Sequence, residues 1–225
     1  MIVTIHQPEH LPWLGFFHKM RRADRFVILD NVQYRTNYFQ NRNRVLGANG
    51  PFWLTVPVRS RGHVASSIAD IEIDGSQAWG ERHRKSLEAC YRRHPHFARY
   101  EEALRTITGS PWQRLADLNI AIIEAFRSAL DIGTPMVRAS ELGVEGRGSE
   151  LLLAICERMG AATYLSGPSG RDYLDESLFA GRGIAVRYHE FHHPVYPQRN
   201  ASVFVSHLAA LDALANLGPE AAGLT

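Results

Sequence analysis

His6, Gln7, Glu9 and His10 stand within "HQPEH", directly after the short apolar run "IVTI". Imidazoles hold and transfer protons near neutral pH and hydrogen-bond phosphate and carboxylate oxygens. Their setting adds to that chemistry. An uncharged, β-branched run reads as a buried strand, and Pro8 and Pro12 break the segment that follows. From Trp13 to Ala23, Leu14, Phe17 and Met20 recur at helical spacing, with Lys19, Arg21 and Arg22 left to face water. Ligands of open α/β sheets bind beyond the carboxyl ends of strands, near helix amino termini with unpaired N–H groups. His6 and His10 are therefore candidate acid–base or phosphate-binding groups, with Gln7 orienting His6. Hydrogen bonding within a proline-bent loop is the competing structural role.

Three further segments concentrate polar side chains. "DNVQYRTNYFQNRNRVL" follows the apolar run "RFVILD", so it emerges on the same edge of the sheet and offers Asp30, Asn31, Gln33, Gln40, Asn41, Arg42, Asn43 and Arg44. Amides and guanidinium groups suit directional recognition of a sugar, nucleotide or carboxylate. A solvated turn is the alternative, although lysine and glutamate, the usual surface fillers, are absent. "YLSGPSGRDYLD" has Gly167 and Gly170 for close backbone approach, with Ser166, Ser169, Arg171, Asp172 and Tyr173 around them. It is neither a Walker loop nor a dinucleotide fingerprint. "RYHEFHHPVYPQ" carries His189, Glu190, His192, His193, Tyr196 and Gln198. No Cys-x-x-Cys or His-Glu-x-x-His spacing accompanies them, so a metal is not expected. No Gly-x-Ser-x-Gly elbow occurs either.

The elements that must position these groups alternate. "IVTI", helix and "RFVILD" form a strand–helix–strand unit of the kind that builds parallel sheets. "PFWLTVPV" and "IADIEID" read as strands. Helices follow over Trp79–Tyr91, Phe97–Thr106 and Trp112–Leu130, the last with Leu115, Leu118, Ile122 and Phe126 on one stripe. "TPMVRASEL" and "ATYLSG" read as strands around the helix "SELLLAICERMG", then "IAVRYHEF" as the last strand and Val203–Leu217 as a carboxy-terminal helix. The expected fold is α/β, with a mostly parallel central sheet, flanking helices and a helical section over 79–130, in a single domain of 1–225. A length of 225 residues suits that size. The net charge of +2 gives no field for general nucleic-acid binding. No apolar run approaches ~18 residues, no secretory signal is visible, and the two cysteines, Cys90 and Cys156, read as buried thiols. A cytoplasmic protein is expected.

"HQPEHLPWLGFF", "ADRFVILDNVQY", "QNRNRV", "WLTVPV", "YLSGPSGRDYLD" and "FHHPVYPQ", in that order, resemble the WbqC-like protein family over nearly the whole chain. The resemblance implies a bacterial protein set among genes for surface polysaccharide, O-antigen or specialised-metabolite synthesis. The family usually carries tyrosine where this chain has His10. The amino-terminal layout is also similar to pantothenate-synthetase-like enzymes and other nucleotidylyltransferase-type proteins, whose His-x-Gly-His turn handles ATP phosphates. Here the turn is one residue longer and lacks the glycine, so the likeness bears on fold more than on ATP use.

The expected function is an enzyme that forms an amide by acyl or aminoacyl transfer to an amine such as an amino sugar. His6, Gln7, His10 and Asp172 are its candidate catalytic residues. Its substrate-binding candidates are Asn31, Gln33, Gln40, Asn41, Arg42, Asn43, Arg44, Ser166, Gly167, Gly170, Tyr173, His192, His193, Tyr196 and Gln198. The partner is a small molecule, a nucleotide-sugar or acyl donor; ATP use and oligomeric state stay open. A metal-dependent hydrolase or lyase using His189, His192 or His193, and a non-catalytic glycan-assembly binding protein, are the alternatives. The mechanism requires His6, Arg42, Asp172 and His192 to share one rim of the sheet.

Overall fold

The computed structural model describes residues 1–59 and 66–225. Strand β1 (Ile2–His6), helix α1 (Leu14–Arg21) and strand β2 (Arg25–Ile28) open the chain. Strands β3 (Arg42–Gly47) and β4 (Gly50–Thr55) form an antiparallel hairpin. Helices α2 (Trp79–Tyr91), α3 (Ala98–Gly109) and α4 (Leu115–Ala129) make the helical section. Strand β5 (Met136–Arg138), helix α5 (Gly148–Arg158), strand β6 (Thr163–Ser166), helix α6 (Glu176–Ala180), strand β7 (Ala185–Tyr188) and helix α7 (Leu211–Leu217) complete the order.

The five-stranded sheet runs β5-β2-β1-β6-β7 with every pairing parallel. A parallel sheet must be covered on both faces, and the strands alternate accordingly. Phe26 and Ile28 join the core beneath α1, α2, α4 and α7. Val3, Ile5 and Val27 point the other way, against α5 and α6. Helix α4 buries its expected stripe of Leu115, Leu118, Ile122 and Phe126. Chain order reverses between β1 and β6, which makes their carboxyl ends, at His6 and Ser166, the topological switch point.

Three local expectations are corrected. Residues of "QNRNRV" read as a recognition loop, yet Arg42–Gly47 is a strand. Its inward positions include a polar residue, Asn43, which hides the two-residue period. "IADIEID" is a 3-10 turn, Ile68–Asp70, followed by single bridges at Glu72 and Ile73. Its isoleucines are buried, and among the described residues its neighbours Val58 and Arg114 each meet it at a single bridge. The carboxy-terminal helix begins at Leu211 rather than Val203. Upstream, Gln198 bonds Val205 in both directions, at 2.9 and 2.8 Å, and His207 has a φ of 59°. The side-chain amide takes the backbone groups a helix would use. Among the described residues no helix is long and apolar enough to cross a membrane.

Candidate active site

β1 delivers His6 to the switch point, and the proline-bent loop turns back over it. Leu11, buried with a φ of 45°, makes the turn between His10 and Pro12. The His10 N–H donates to the Phe39 carbonyl at 2.9 Å, tying this loop to the segment after β2. Between them lies a cavity of ≈ 380 Å³. Its floor is Ile5, His6, Gln7 and Glu9 from β1 and its loop, with Lys19 from α1. Arg35, Tyr38 and Gln40 form one wall, and α5 with Gly167, Ser169 and Tyr173 forms the other. The volume falls within the range of small-molecule sites.

Lys19 and Glu9 dominate the chemistry. Lys19 is only 3% exposed, and its Nζ donates to the Ile5 carbonyl at 2.9 Å. Burial lowers this amine to about 7, against the opposing pull of Glu9. Glu9 is 7% exposed and its Oε2 has no hydrogen-bond partner. Burial raises its carboxyl to about 8, with Lys19 pulling it down. A near-neutral amine and a carboxylic acid thus face one cavity, both able to exchange a proton near pH 7. The expectation that Lys19 faces water is overturned. Helix α1 buries Leu14, Gly15, Phe16, Phe17 and Met20 as well, and a charged residue buried among them needs a polar destination. The run of large apolar residues just before Lys19 was the available signal. Glu9 carried no such local mark.

His6 sits 3.9 Å from Glu9 by its Nδ1, with its ring edge-on to Phe16. Burial first, then the charge of Lys19, lower its imidazole to about 3. Its Nδ1 contacts the Gln7 carbonyl at 3.1 Å. A carbonyl only accepts, so Nδ1 carries the proton and Nε2 is an acceptor. Gln40 fixes the opposite wall. Its Nε2 donates to Gln7 Oε1 at 2.8 Å, and its Oε1 accepts the Arg35 N–H at 2.8 Å.

The sequence-derived candidates divide. His6, Gln7, Gln40, Gly167 and Tyr173 line the cavity. His10 lies in the core, its Nε2 3.2 Å from His83 Nε2 and its Nδ1 3.3 Å from Asn119 Oδ1. Asn41 and Asn43 donate to the Val56 and Leu11 carbonyls. Asp30 is fully buried and accepts from Arg138 and Ser140, joining the ends of β2 and β5. Asn31 is half-buried and Gln33 exposed, the latter bridged to Ser67. Arg42 stacks on Trp53, and Arg44 reaches the carbonyls of Ser206 and His207. A Cβ at Gly170 would meet Ser166 Oγ at 2.2 Å, so that glycine serves packing of the turn onto buried Ser166. Asp172 is exposed and outside the cavity lining.

The histidines near the end do not converge on this cavity. His189 Nε2 lies 2.6 Å from His18 Nδ1 and His193 packs beside the stacked pair of Trp13 and His207, while His192 is exposed. Tyr196 and Gln198 both donate to the buried Asp212 carboxylate at 2.9 Å. No three histidine, cysteine, aspartate or glutamate side chains among the described residues gather as a metal would require. The four residues expected on one rim are therefore dispersed, with His6 alone in the cavity wall.

The chain has a relative in sequence along nearly its whole length. An uncharacterized protein of Mycobacterium tuberculosis is 32% identical over 220 residues, covering 97% of this chain and 95% of its own. No solved structure matches. The model of the WbqC-like protein family matches residues 7–223, which takes in Gln7, Glu9, Lys19 and every other wall of the cavity beyond Ile5 and His6. On that near-complete match, the chain belongs to the WbqC-like protein family.

Proposed function

We propose that the protein is an enzyme of bacterial surface-glycan or specialised-metabolite biosynthesis that forms an amide by acyl or aminoacyl transfer to an amine, an amino sugar being the acceptor class. Family membership is consistent with a glycan-related role. One observation carries the reaction type: the Glu9 carboxyl, whose Oε2 has no hydrogen-bond partner, and the buried Lys19 amine face the same polar cavity at the switch point.

An amino group enters as an ammonium ion and attacks only after losing a proton. A base near the working pH is what that step needs. The Glu9 carboxylate or the Lys19 amine takes the proton. His6 Nε2 accepts a second N–H and aims the nitrogen lone pair at the acyl carbon. The C–N bond forms as the carbonyl π pair moves to oxygen; the nitrogen, now cationic, gives its second proton to the departing group, and collapse of the oxyanion expels that group with its bonding pair. Protonated Lys19 is the cation nearest the developing charge, a role worth most in a desolvated site. Arg35 at the mouth holds the anionic part of a substrate, in place of the Arg42 and Arg44 expected from sequence. Gln7 and Gln40 brace the wall. The donor arrives as an acyl phosphate or aminoacyl derivative, or is activated with ATP.

The test is a thermal-shift screen of aminoacyl donors, acyl phosphates, amino sugars and ATP. Stabilising pairs are then incubated together and the amide sought by mass spectrometry. A ligand at about a hundred times its Kd adds about 2.7 kcal/mol of apparent stability. Folded Glu9→Gln and Lys19→Met proteins are expected to lose about 10²–10⁴-fold in turnover. Wild-type turnover in both variants removes the pair from the mechanism. Ligand binding without an amide in any combination replaces the enzyme reading with a binding protein.

A further inference from the structure

No acidic residue stands between Asp30 and Asp70, and the part of this stretch nearest the cavity presents exposed aromatic rings. Tyr38 and Trp53 are each 43% exposed, and Tyr173, at 60%, stands with Tyr38 at the cavity mouth. Phe39 links the first two, its ring 5.5 Å from Tyr38 and 5.9 Å from Trp53. Two guanidinium groups lie over this ribbon, Arg35 5.5 Å from the Tyr38 ring and Arg42 4.5 Å from the Trp53 ring. Neither guanidinium has a carboxylate partner among the described residues. Arg42 Nε is buried with no hydrogen-bond partner, although Asn37 accepts from its other nitrogens.

Exposed rings favour a ligand with a flat apolar face, and guanidinium groups without a carboxylate partner favour phosphate. One molecule offers both. We propose that the ribbon is a sugar-phosphate subsite, on which the C–H face of a pyranose stacks against Tyr38 and Trp53 while Arg35 and Arg42 donate to phosphate oxygens. The inference deepens the amide-forming reading and rests on it for orientation: Tyr38 and Arg35 also line the cavity, so an amino sugar held here directs its nitrogen toward Glu9 and Lys19. The phosphate belongs either to a nucleoside-diphosphate sugar or to a free sugar phosphate.

Isothermal titration at fixed ionic strength, with UDP-glucosamine, glucosamine 1-phosphate, UDP, glucosamine and inorganic phosphate as probes, tests the subsite. A sugar phosphate is expected to bind at least about tenfold more tightly than glucosamine or inorganic phosphate. Trp53→Ala and Arg35→Met are each expected to weaken it about tenfold. Both side chains are exposed, and far-UV circular dichroism checks that the variants remain folded. Tighter binding of UDP-glucosamine than of UDP and glucosamine 1-phosphate identifies the nucleotide-linked source; equal binding of the two sugar phosphates identifies the free one. No binding of either at millimolar concentration overturns the proposal, as does binding unchanged in both variants. Glu9→Gln is expected to keep sugar-phosphate binding while losing turnover, which separates this test from the reaction. Sugar-phosphate binding by a wild-type protein that makes no amide leaves the subsite standing and sinks the chemistry. Amide formation indifferent to Trp53→Ala and Arg35→Met does the reverse.

Discussion

Replacing Glu9 by glutamine removes a titration that the fold suppresses. The carboxyl has an ordinary value of 4.5 and is raised to about 8 in the cavity, chiefly by burial. Between those values the native protein keeps a proton that the unfolded chain releases. The stability this confers is complete below pH 4.5 and is lost as pH rises through about 8. At about 1.4 kcal/mol per pH unit, the interval corresponds to about 5 kcal/mol. Urea unfolding of wild type and Glu9→Gln, from about pH 5 to about pH 8.5, measures it directly. The variant is expected to gain on wild type across that range by about 4 kcal/mol. Lys19 has the opposite sign: its ordinary value of 10.5 falls to about 7, so its contribution is complete above pH 10.5 and is lost as pH falls through about 7. Because its titration responds to Glu9, the comparison is repeated in a Lys19→Met background. Parallel stability curves in both backgrounds, separated by a constant within about 1 kcal/mol, would refute a buried, proton-holding Glu9. They would also take away the base on which the amide chemistry depends.

Asp30→Ala is expected to cost about 3–5 kcal/mol in chemical denaturation, since it strips Arg138 of a 2.7 Å partner and Ser140 of two acceptor contacts. Gly80→Ala would place a Cβ 2.0 Å from the Thr108 carbonyl oxygen, forcing α2 from the end of α3. A melting study should find it less stable by about 1–3 kcal/mol, with Gly75→Ala, whose Cβ meets nothing within 4 Å, as the unaffected control. Gln40→Leu leaves Gln7 and the Arg35 N–H without their 2.8 Å partners. Stability should drop by about 1–3 kcal/mol, and steady-state kinetics should record lower turnover as that wall loosens.

The sequence by itself determined the parallel α/β architecture, the helical middle section and the placing of His6 and Gln7 at the carboxyl end of a strand. These follow from periodicities and breakers that act within a few residues: the β-branched run, the two prolines and the apolar stripe of α4. Side-chain type carried less. Amides and arginines around positions 40 to 44 promised a recognition loop, but Asn41 and Asn43 hold backbone carbonyls. A polar group that serves the fold has the same identity as one that serves a ligand.

Only the tertiary structure decided where the charged groups meet. The strand order that places β6 beside β1 brings Gly167 and Tyr173 to the cavity and leaves Asp172 facing outward. Lys19 is buried because the end of β1 presents the Ile5 carbonyl to it, and Gln7 is braced by Gln40, 33 positions away. Local pattern reports the surroundings an element prepares for itself. The free energy of a buried amine or carboxyl is set by groups that arrive from elsewhere in the chain, so its chemistry becomes visible only once the strands are ordered.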